Sequence, residues 1–401
     1  MKYVVLVGDG MADRPVDELS GRTPLQAADT PNMDHLAQQG ALGRVCNIPE
    51  GLPCGSDVAN MSILGYPPGI YYRGRSSLEA ASIGVDLGGD DLAFRCNLVT
   101  MKFSPNGAIL VDYSAGHISS EEGSQLVKAL NQAFGGAELS FYPGVSYRHL
   151  MVWKGGRDGI ETVAAHDING KHIADYLPKG VGADRLRELM EKSRDIFSDH
   201  PVNRARLEKG LAPANSIWLW GQGRPPQLPS FVEQHGLRGS MITAVDLMKG
   251  LAIYAGMEVV KVEGATGYLD TNYAGKVQGA LNSLEQNDLA YVHVEAPDEL
   301  GHAGDCGLKI KAIEDFDRQV VGPIMERLAR MGEFRVLLLP DHPTPVSLRT
   351  HTPEPVPFII YPRGDLPAIG SAEVAFSETW AERSDLYISD GSTLLTMLKQ
   401  R

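Results

Sequence analysis

The sequence is poor in cysteine, lacks any long apolar run, and carries less positive than negative charge. Four cysteines occur in 401 residues, Cys46, Cys54, Cys96 and Cys306, and no two form a CxxC pair. That scatter argues against a disulfide framework and against a zinc–thiolate centre, and it predicts a reducing, cytoplasmic setting. No stretch approaches the roughly 20 apolar residues of a membrane span. The opening apolar run, Tyr3 to Val7, breaks at Gly8-Asp9-Gly10 and is too short to read as a signal peptide. Lys and Arg total 37 against 50 Asp and Glu, a net charge of −13. A nucleic-acid binder would need a basic stripe that this balance does not favour. A small anionic substrate stays compatible, because local arginines or metal ions override the global sign. There is no Walker loop and no kinase-type Gly-rich signature, so no ordinary nucleotide site is visible.

What is present is a globular chain, 43% apolar, with enough apolar residues for more than one core. Val4–Val7 is a β-branched run stopped by Gly-Asp-Gly, which predicts a buried strand ending in a tight loop. Thr30-Pro31 predicts a helix start. Ser56 follows the loop Gly51-Leu52-Pro53-Cys54-Gly55 and opens a helical pattern that ends near Gly65, so it stands at a helix N-terminus, where free N–H groups favour phosphate. Short strands are predicted at 94–101, 108–113, 139–142 and 148–153, with helices over 120–134 and 184–197. From about residue 212 strands alternate with helices again, at 216–220, 289–294 and 334–339, with 241–245 either a strand or the start of the next helix. Such alternation predicts an α/β fold with a mostly parallel sheet covered by helices on both faces. The expected division is a discontinuous catalytic domain, residues 1–90 and 212–401, with an inserted α+β cap over 91–211.

Four loops beside predicted strands carry ligand-type side chains: Asp9; Ser56; Asp298 with His302; and Asp341-His342 with His351 a short loop later. In an open α/β sheet, ligands bind outside the carboxyl ends of the strands. Taken singly each residue has a plainer reading: Asp9 as a turn residue, Ser56 as an N-cap, Asp298 and His302 as a helical i,i+4 pair, Asp341 as a turn residue, His351 as a surface histidine. Together, carboxylates and imidazoles without cysteine suit two divalent ions such as manganese, zinc or cobalt. Two ions in one site can clamp both oxygens of an in-line displacement and turn a serine into a nucleophile.

The motifs Val7-Gly8-Asp9-Gly10-Met11-Ala12-Asp13, Gly55-Ser56-Asp57-Val58-Ala59-Asn60-Met61-Ser62, Tyr72-Arg73-Gly74-Arg75-Ser76-Ser77, Phe94-Arg95-Cys96-Asn97, Tyr147-Arg148-His149, His166-Asp167, Pro297-Asp298 with Gly301-His302, Pro340-Asp341-His342 and His351-Thr352 span nearly the whole chain. Through them the sequence resembles the cofactor-independent phosphoglycerate mutases, archaeal-type branch, of the alkaline phosphatase superfamily. The resemblance implies that Asp298, His302 and His351 hold one metal, and that Asp9, Asp341, His342 and the Ser56 oxygen hold the other. It implies that Ser56 is transiently phosphorylated and that no 2,3-bisphosphoglycerate is needed. Arg73, Arg75, Arg95, Arg148, His166 and Lys249 are the candidates for holding a small phosphorylated substrate, with no nucleic acid or membrane as partner. One departure is His117, where the archaeal branch more often has arginine. Two alternatives stand beside the mutase: a homoserine phosphotransferase, and a metal-dependent phosphatase in which water reaches the phosphoserine.

Overall fold

The structure is a computed structural model that describes residues 1–400 apart from Asn106, Gly370 and Ala372. The chain forms two compact units. One comprises Met1–Tyr72 and Gln227–Arg401, the other Arg73–Pro226.

The first unit is built on an eight-stranded sheet. Its order is Glu258–Val259, Gly239–Ile242, Leu289–Val294, Lys2–Gly8, Phe334–Leu339, Val356–Tyr361, Ala41–Val45 and Tyr387–Ile388. The first five strands run parallel, and Val356–Tyr361 is antiparallel to both its neighbours. The central strands are apolar almost throughout, as strands buried on both faces must be. Alternation along a strand still sorts their side chains. Val4, Leu6, Ala290, Val292, Val294, Val336 and Leu338 belong to one core, packed with Phe316, Ile313 and Val320 of the helical segments after residue 306. The alternate residues Val5, Val7, Tyr291 and His293 share the other face, since Val5 is in register with Tyr291 and Val7 with His293.

The second unit centres on a long strand, Leu92–Ser104, paired antiparallel with Gly107–Asp112, Arg148–Trp153 and Ser216–Gly223. Helices Ser120–Phe134 and Ala183–Ser198 cover it around Phe94, Cys96, Leu98, Leu126, Leu186 and Trp218. Its extent differs from the expected 91–211. Residues 73–90 and 212–226 fold with it, because Ser216–Gly223 pairs with the central strand and Ala80 of helix Ser76–Ser82 packs against Ala93, Leu150 and Val152. Sequence alternation alone placed the boundaries at the change in pattern, whereas strand pairing places them at the chain crossings. Among the described residues no helix is long and apolar enough to cross a membrane.

Candidate active site

The site-bearing loops of the first unit leave the carboxyl ends of three adjacent parallel strands. Asp9 follows Lys2–Gly8, and its N–H extends the ladder by donating to Val294 O at 2.9 Å. Asp298 lies on helix Ala296–Ala303, which is capped by Glu295 one residue after strand Leu289–Val294 and carries Pro297 in its first turn. Asp341 and His342 follow strand Phe334–Leu339. Adjacent parallel strands therefore gather residues more than 280 positions apart.

Ser56 is the first residue of helix Ser56–Ile63; its N-cap is Gly55, without a side-chain cap. The hydroxyl is thus not used as a cap. It lies 3.4 Å from Asp9 Oδ2 and 3.1 Å from His342 Nε2. Gly10 turns the Asp9 loop at φ 61°, and its N–H donates to Asp341 Oδ1 at 3.0 Å. A Cβ there would come within 2.6 Å of Asp298 Oδ1, so glycine is required both by the left-handed backbone and by the close approach.

Two clusters emerge. In one, Asp298 meets His302 at 3.3 Å across one helical turn and His351 at 3.3 Å, with the two Nε2 atoms 2.9 Å apart. His302 Nδ1 faces Arg349 O, and His351 Nδ1 faces Cys54 O. Burial alone would raise the Asp298 pKa, but the His302 and His351 bonds outweigh it and hold the carboxyl well below its usual range. In turn, burial opposes protonation of His302, yet the Asp298 bond and charge push it up to about 9. In the other cluster Asp9, Asp341 and His293 converge, all buried, with ligand atoms within 4.8 Å of one another. Here burial, reinforced by the charges of Asp341, Asp298 and Glu295, raises the Asp9 carboxyl well above its usual value. Asp9 Oδ1 and His293 Nε2 are buried without hydrogen-bond partners. Buried polar atoms are ordinarily paired, and crowded carboxylates are expensive without a counter-charge. The donor set, all oxygen and imidazole nitrogen, fits hard or borderline divalent cations.

His342 stands between the clusters, 3.5 Å from both Asp9 Oδ1 and Asp341 Oδ2, and groups by distance with Asp298 and His351. Its tautomer follows from the network. Thr344 Oγ1 donates its single proton to Asp298, so toward His342 Nδ1, 3.3 Å away, it can only accept. Nδ1 therefore carries the proton and Nε2 presents its lone pair to Ser56. Burial keeps the ring neutral by lowering its pKa.

Sequence reasoning missed the residues that hold these candidate ligands still. Asn60, one helical turn after Ser56, donates to Asp341 Oδ2 at 2.7 Å and accepts from the Tyr291 hydroxyl. Lys309, fully buried, donates to Asp13 and to the carbonyls of Ala12 and Thr344, tying the Asp9 loop to the His342 loop. It missed His293 as well. The signal was the pair Tyr291 and His293 at period two in the run Leu-Ala-Tyr-Val-His-Val, two polar side chains on one face of a buried strand.

The substrate candidates fall mainly in the second unit. Arg75 and Arg95 lie 3.0 and 3.6 Å from Glu79. Burial would raise Glu79, but Arg95 and Arg75 lower it, with Arg148 adding to the effect. Three guanidiniums around one carboxylate leave a local positive surplus on an acidic chain. Burial brings Arg95 down to about 10, still protonated at neutral pH, and its Nε is buried without a hydrogen-bond partner. Its guanidinium stacks 5.1 Å from the Trp220 ring, which His166 also flanks at 5.4 Å. Arg73 is exposed. Lys249, in the first unit, pairs with Asp246 at 2.9 Å. The departure His117 has φ 48° and lies 6.4 Å from the Tyr147 ring.

The family model described as 2,3-bisphosphoglycerate-independent phosphoglycerate mutase matches residues 37–203. A relative from Geobacter sulfurreducens is 53% identical over the full length of both chains. The 2,3-bisphosphoglycerate-independent phosphoglycerate mutase of Methanosarcina barkeri is 54% identical over 99% of each. The chain belongs to this family. Its fold is shared with a solved protein from Pyrococcus horikoshii, at 31% identity and TM-score 0.82 over 99% of this chain and 96% of the other. It is also similar to the cofactor-independent phosphoglycerate mutase of Thermoplasma acidophilum, at 29% identity and TM-score 0.65 over 99% of both chains.

Proposed function

We propose that this family member interconverts 2-phosphoglycerate and 3-phosphoglycerate by passing the phosphoryl group through Ser56 Oγ, with two divalent ions and no 2,3-bisphosphoglycerate. The observation that carries the reading is the Ser56 hydroxyl, released from capping and set between Asp9 and the neutral Nε2 of His342. One ion would be held by Asp298, His302 and His351, and the other by Asp9, Asp341, His342 and Ser56. Bound there, the ions supply positive charge to the transferring phosphoryl group and ease loss of the serine proton. Manganese is the proposed metal, with zinc and cobalt meeting the same donors.

The chain's own residues then do the following. The Ser56 Oγ–P bond forms as the substrate's C–O–P oxygen leaves, and the serine proton ends on that oxygen. In the second transfer the other hydroxyl of glycerate forms its O–P bond as the Ser56 Oγ–P bond breaks, and that hydroxyl's proton returns to Ser56 Oγ, so no water is consumed. The N–H groups at the start of helix Ser56–Ile63 face the phosphoryl group with the positive end of the helix dipole. Arg75, Arg95 and Arg148 are proposed to grip the substrate's anionic groups, where a planar fork gives two-point recognition. The unpartnered Arg95 Nε supports that role. His166, beside Trp220, is proposed to stand on the same substrate side; Arg73 and Lys249 are further candidates.

The test is conversion of 3-phosphoglycerate to 2-phosphoglycerate by purified protein with added manganese and no 2,3-bisphosphoglycerate, with free phosphate followed in the same tube. Conversion without phosphate release is expected. Phosphate release alone would replace the mutase reading with a phosphatase. Neither reaction would move the search to homoserine with phosphoryl donors.

A further inference from the structure

We propose that His293 is an additional metal ligand, its Nε2 closing the Asp9–Asp341 pocket from the sheet side. This rests on the two-ion reading above and adds to it a donor that the family resemblance does not supply.

The position is fixed by backbone register. His293 pairs with Val7 on the adjacent parallel strand, so two residues on, Asp9 leaves on the same side of the sheet. His293 Nε2 consequently reaches 3.0 Å from Asp9 Oδ2, with both side chains almost wholly buried. The approach is close, yet neither His293 Nε2 nor the second Asp9 oxygen, Oδ1, makes a hydrogen bond. Atoms that converge without bonding each other are arranged around a common point, which is how ligands of one ion stand. Asp341 completes the trio.

The rest of the ring is held for that role. Thr243 Oγ1 lies 3.3 Å from Nδ1 and already accepts from the Val245 N–H. Its remaining lone pair can accept from Nδ1–H, which leaves Nε2 free to coordinate. An imidazole bound through one nitrogen and anchored through the other is the usual arrangement at metal sites. The backbone is held too, since buried Lys276 donates to His293 O at 2.9 Å. Ser56 approaches the same Asp9 oxygen as His293 does, at 3.4 Å, but from the helix. The pocket thus receives the nucleophile from one element and the imidazole from another.

Crystals of the zinc-loaded wild-type protein, measured at the zinc absorption edge, test this directly. The expected result is an anomalous peak bonded to Asp9 and Asp341 and about 2.0–2.1 Å from His293 Nε2. An ion bonded to Asp9 and Asp341 with Nε2 left beyond bonding distance would overturn the proposal, as would zinc at the Asp298 cluster alone. Zinc at neither cluster would remove the two-ion reading and this proposal with it. Calorimetric titration of manganese into metal-free His293→Gln gives a second measure. One of the two ions should bind at least about tenfold more weakly, with the other unchanged, whereas His302→Gln should weaken the other ion. Wild-type affinities for both ions in a folded His293→Gln protein would overturn the assignment.

Discussion

The Asp298 cluster carries its own counter-charge, whereas the Asp9 cluster does not. Asp298 is flanked by two imidazoles that are half-buried and can take up protons, so the carboxylate stays ionised and His302 rises to about 9. Asp9 faces Asp341 and the nearby Asp298 and Glu295, and its histidine neighbours, His293 and His342, are buried deeply enough to stay neutral. The same residue types therefore behave oppositely, and the difference is depth. At the rim, the Asp298 bond and charge outweigh the partial burial of His302 and His351, so imidazolium ions form beside an ionised carboxylate. In the interior, desolvation suppresses the imidazolium, so the burden falls on Asp9 itself, whose carboxyl is pushed toward its protonated form in the absence of a bound cation.

Ser56→Ala tests both clusters at once, because the hydroxyl faces Asp9 and His342 together. Turnover should fall by roughly four orders of magnitude or more while circular dichroism is unchanged. Turnover near the wild-type level would sink the nucleophile.

Next in size is a pair of substitutions compared by thermal unfolding in excess chelator at pH 7.5. Asp298→Asn should destabilise by about 2 kcal/mol, because it strands two imidazoles whose partner it was. Asp9→Asn should be neutral or stabilising by about 1 kcal/mol, because it removes a crowded carboxylate. The sign follows from linkage. The Asp9 pKa is raised on folding, so its favourable contribution is complete below its unfolded value and is lost as pH rises through the folded one. The Asp298 pKa is lowered, so its contribution is present above the unfolded value and vanishes only as pH falls through the folded one. Equal destabilisation by the two substitutions would erase the contrast.

The smallest effect concerns His302. Its folded pKa near 9 exceeds the ordinary 6.5, so its stabilising contribution is full below pH 6.5 and disappears as pH rises through 9. Metal-free wild type should lose up to about 1 kcal/mol over that window, given partial solvent screening. His302→Gln should flatten that part of the profile. An unchanged slope in the variant would show that Asp298 does not hold the ring in its protonated form.

A second contrast is between the two units. The first gathers its site from the ends of parallel strands. The second surrounds Glu79 with Arg75, Arg95 and Arg148, drawn from the N-cap of helix Ser76–Ser82 and from two antiparallel strands. The sequence offered the strand-end residues because Gly, Pro and Asp mark loops after β-branched runs, as in Val7-Gly8-Asp9-Gly10. It offered the arginines only through resemblance, since nothing in spacing says that Arg75 and Arg95 converge on one buried carboxylate. The unit boundaries were misjudged for a related reason. Ser216–Gly223 reads as an ordinary apolar strand, and only its antiparallel pairing with Leu92–Ser104 assigns it to the second unit.

The sequence by itself determined the local facts: a buried strand before Asp9, a helix beginning at Ser56, an i,i+4 pair at Asp298 and His302, and the family motifs spread along the chain. These depend on periodicity and turn chemistry, which act over a few residues. The tertiary structure decided which groups share a pocket and how they are charged. Register with Val7 put His293 beside Asp9, Gly55 rather than Ser56 capped the helix, and burial kept His342 neutral while His302 became basic. Those outcomes depend on distances between residues far apart in the chain and on depth below solvent, and neither is written in any local stretch of sequence.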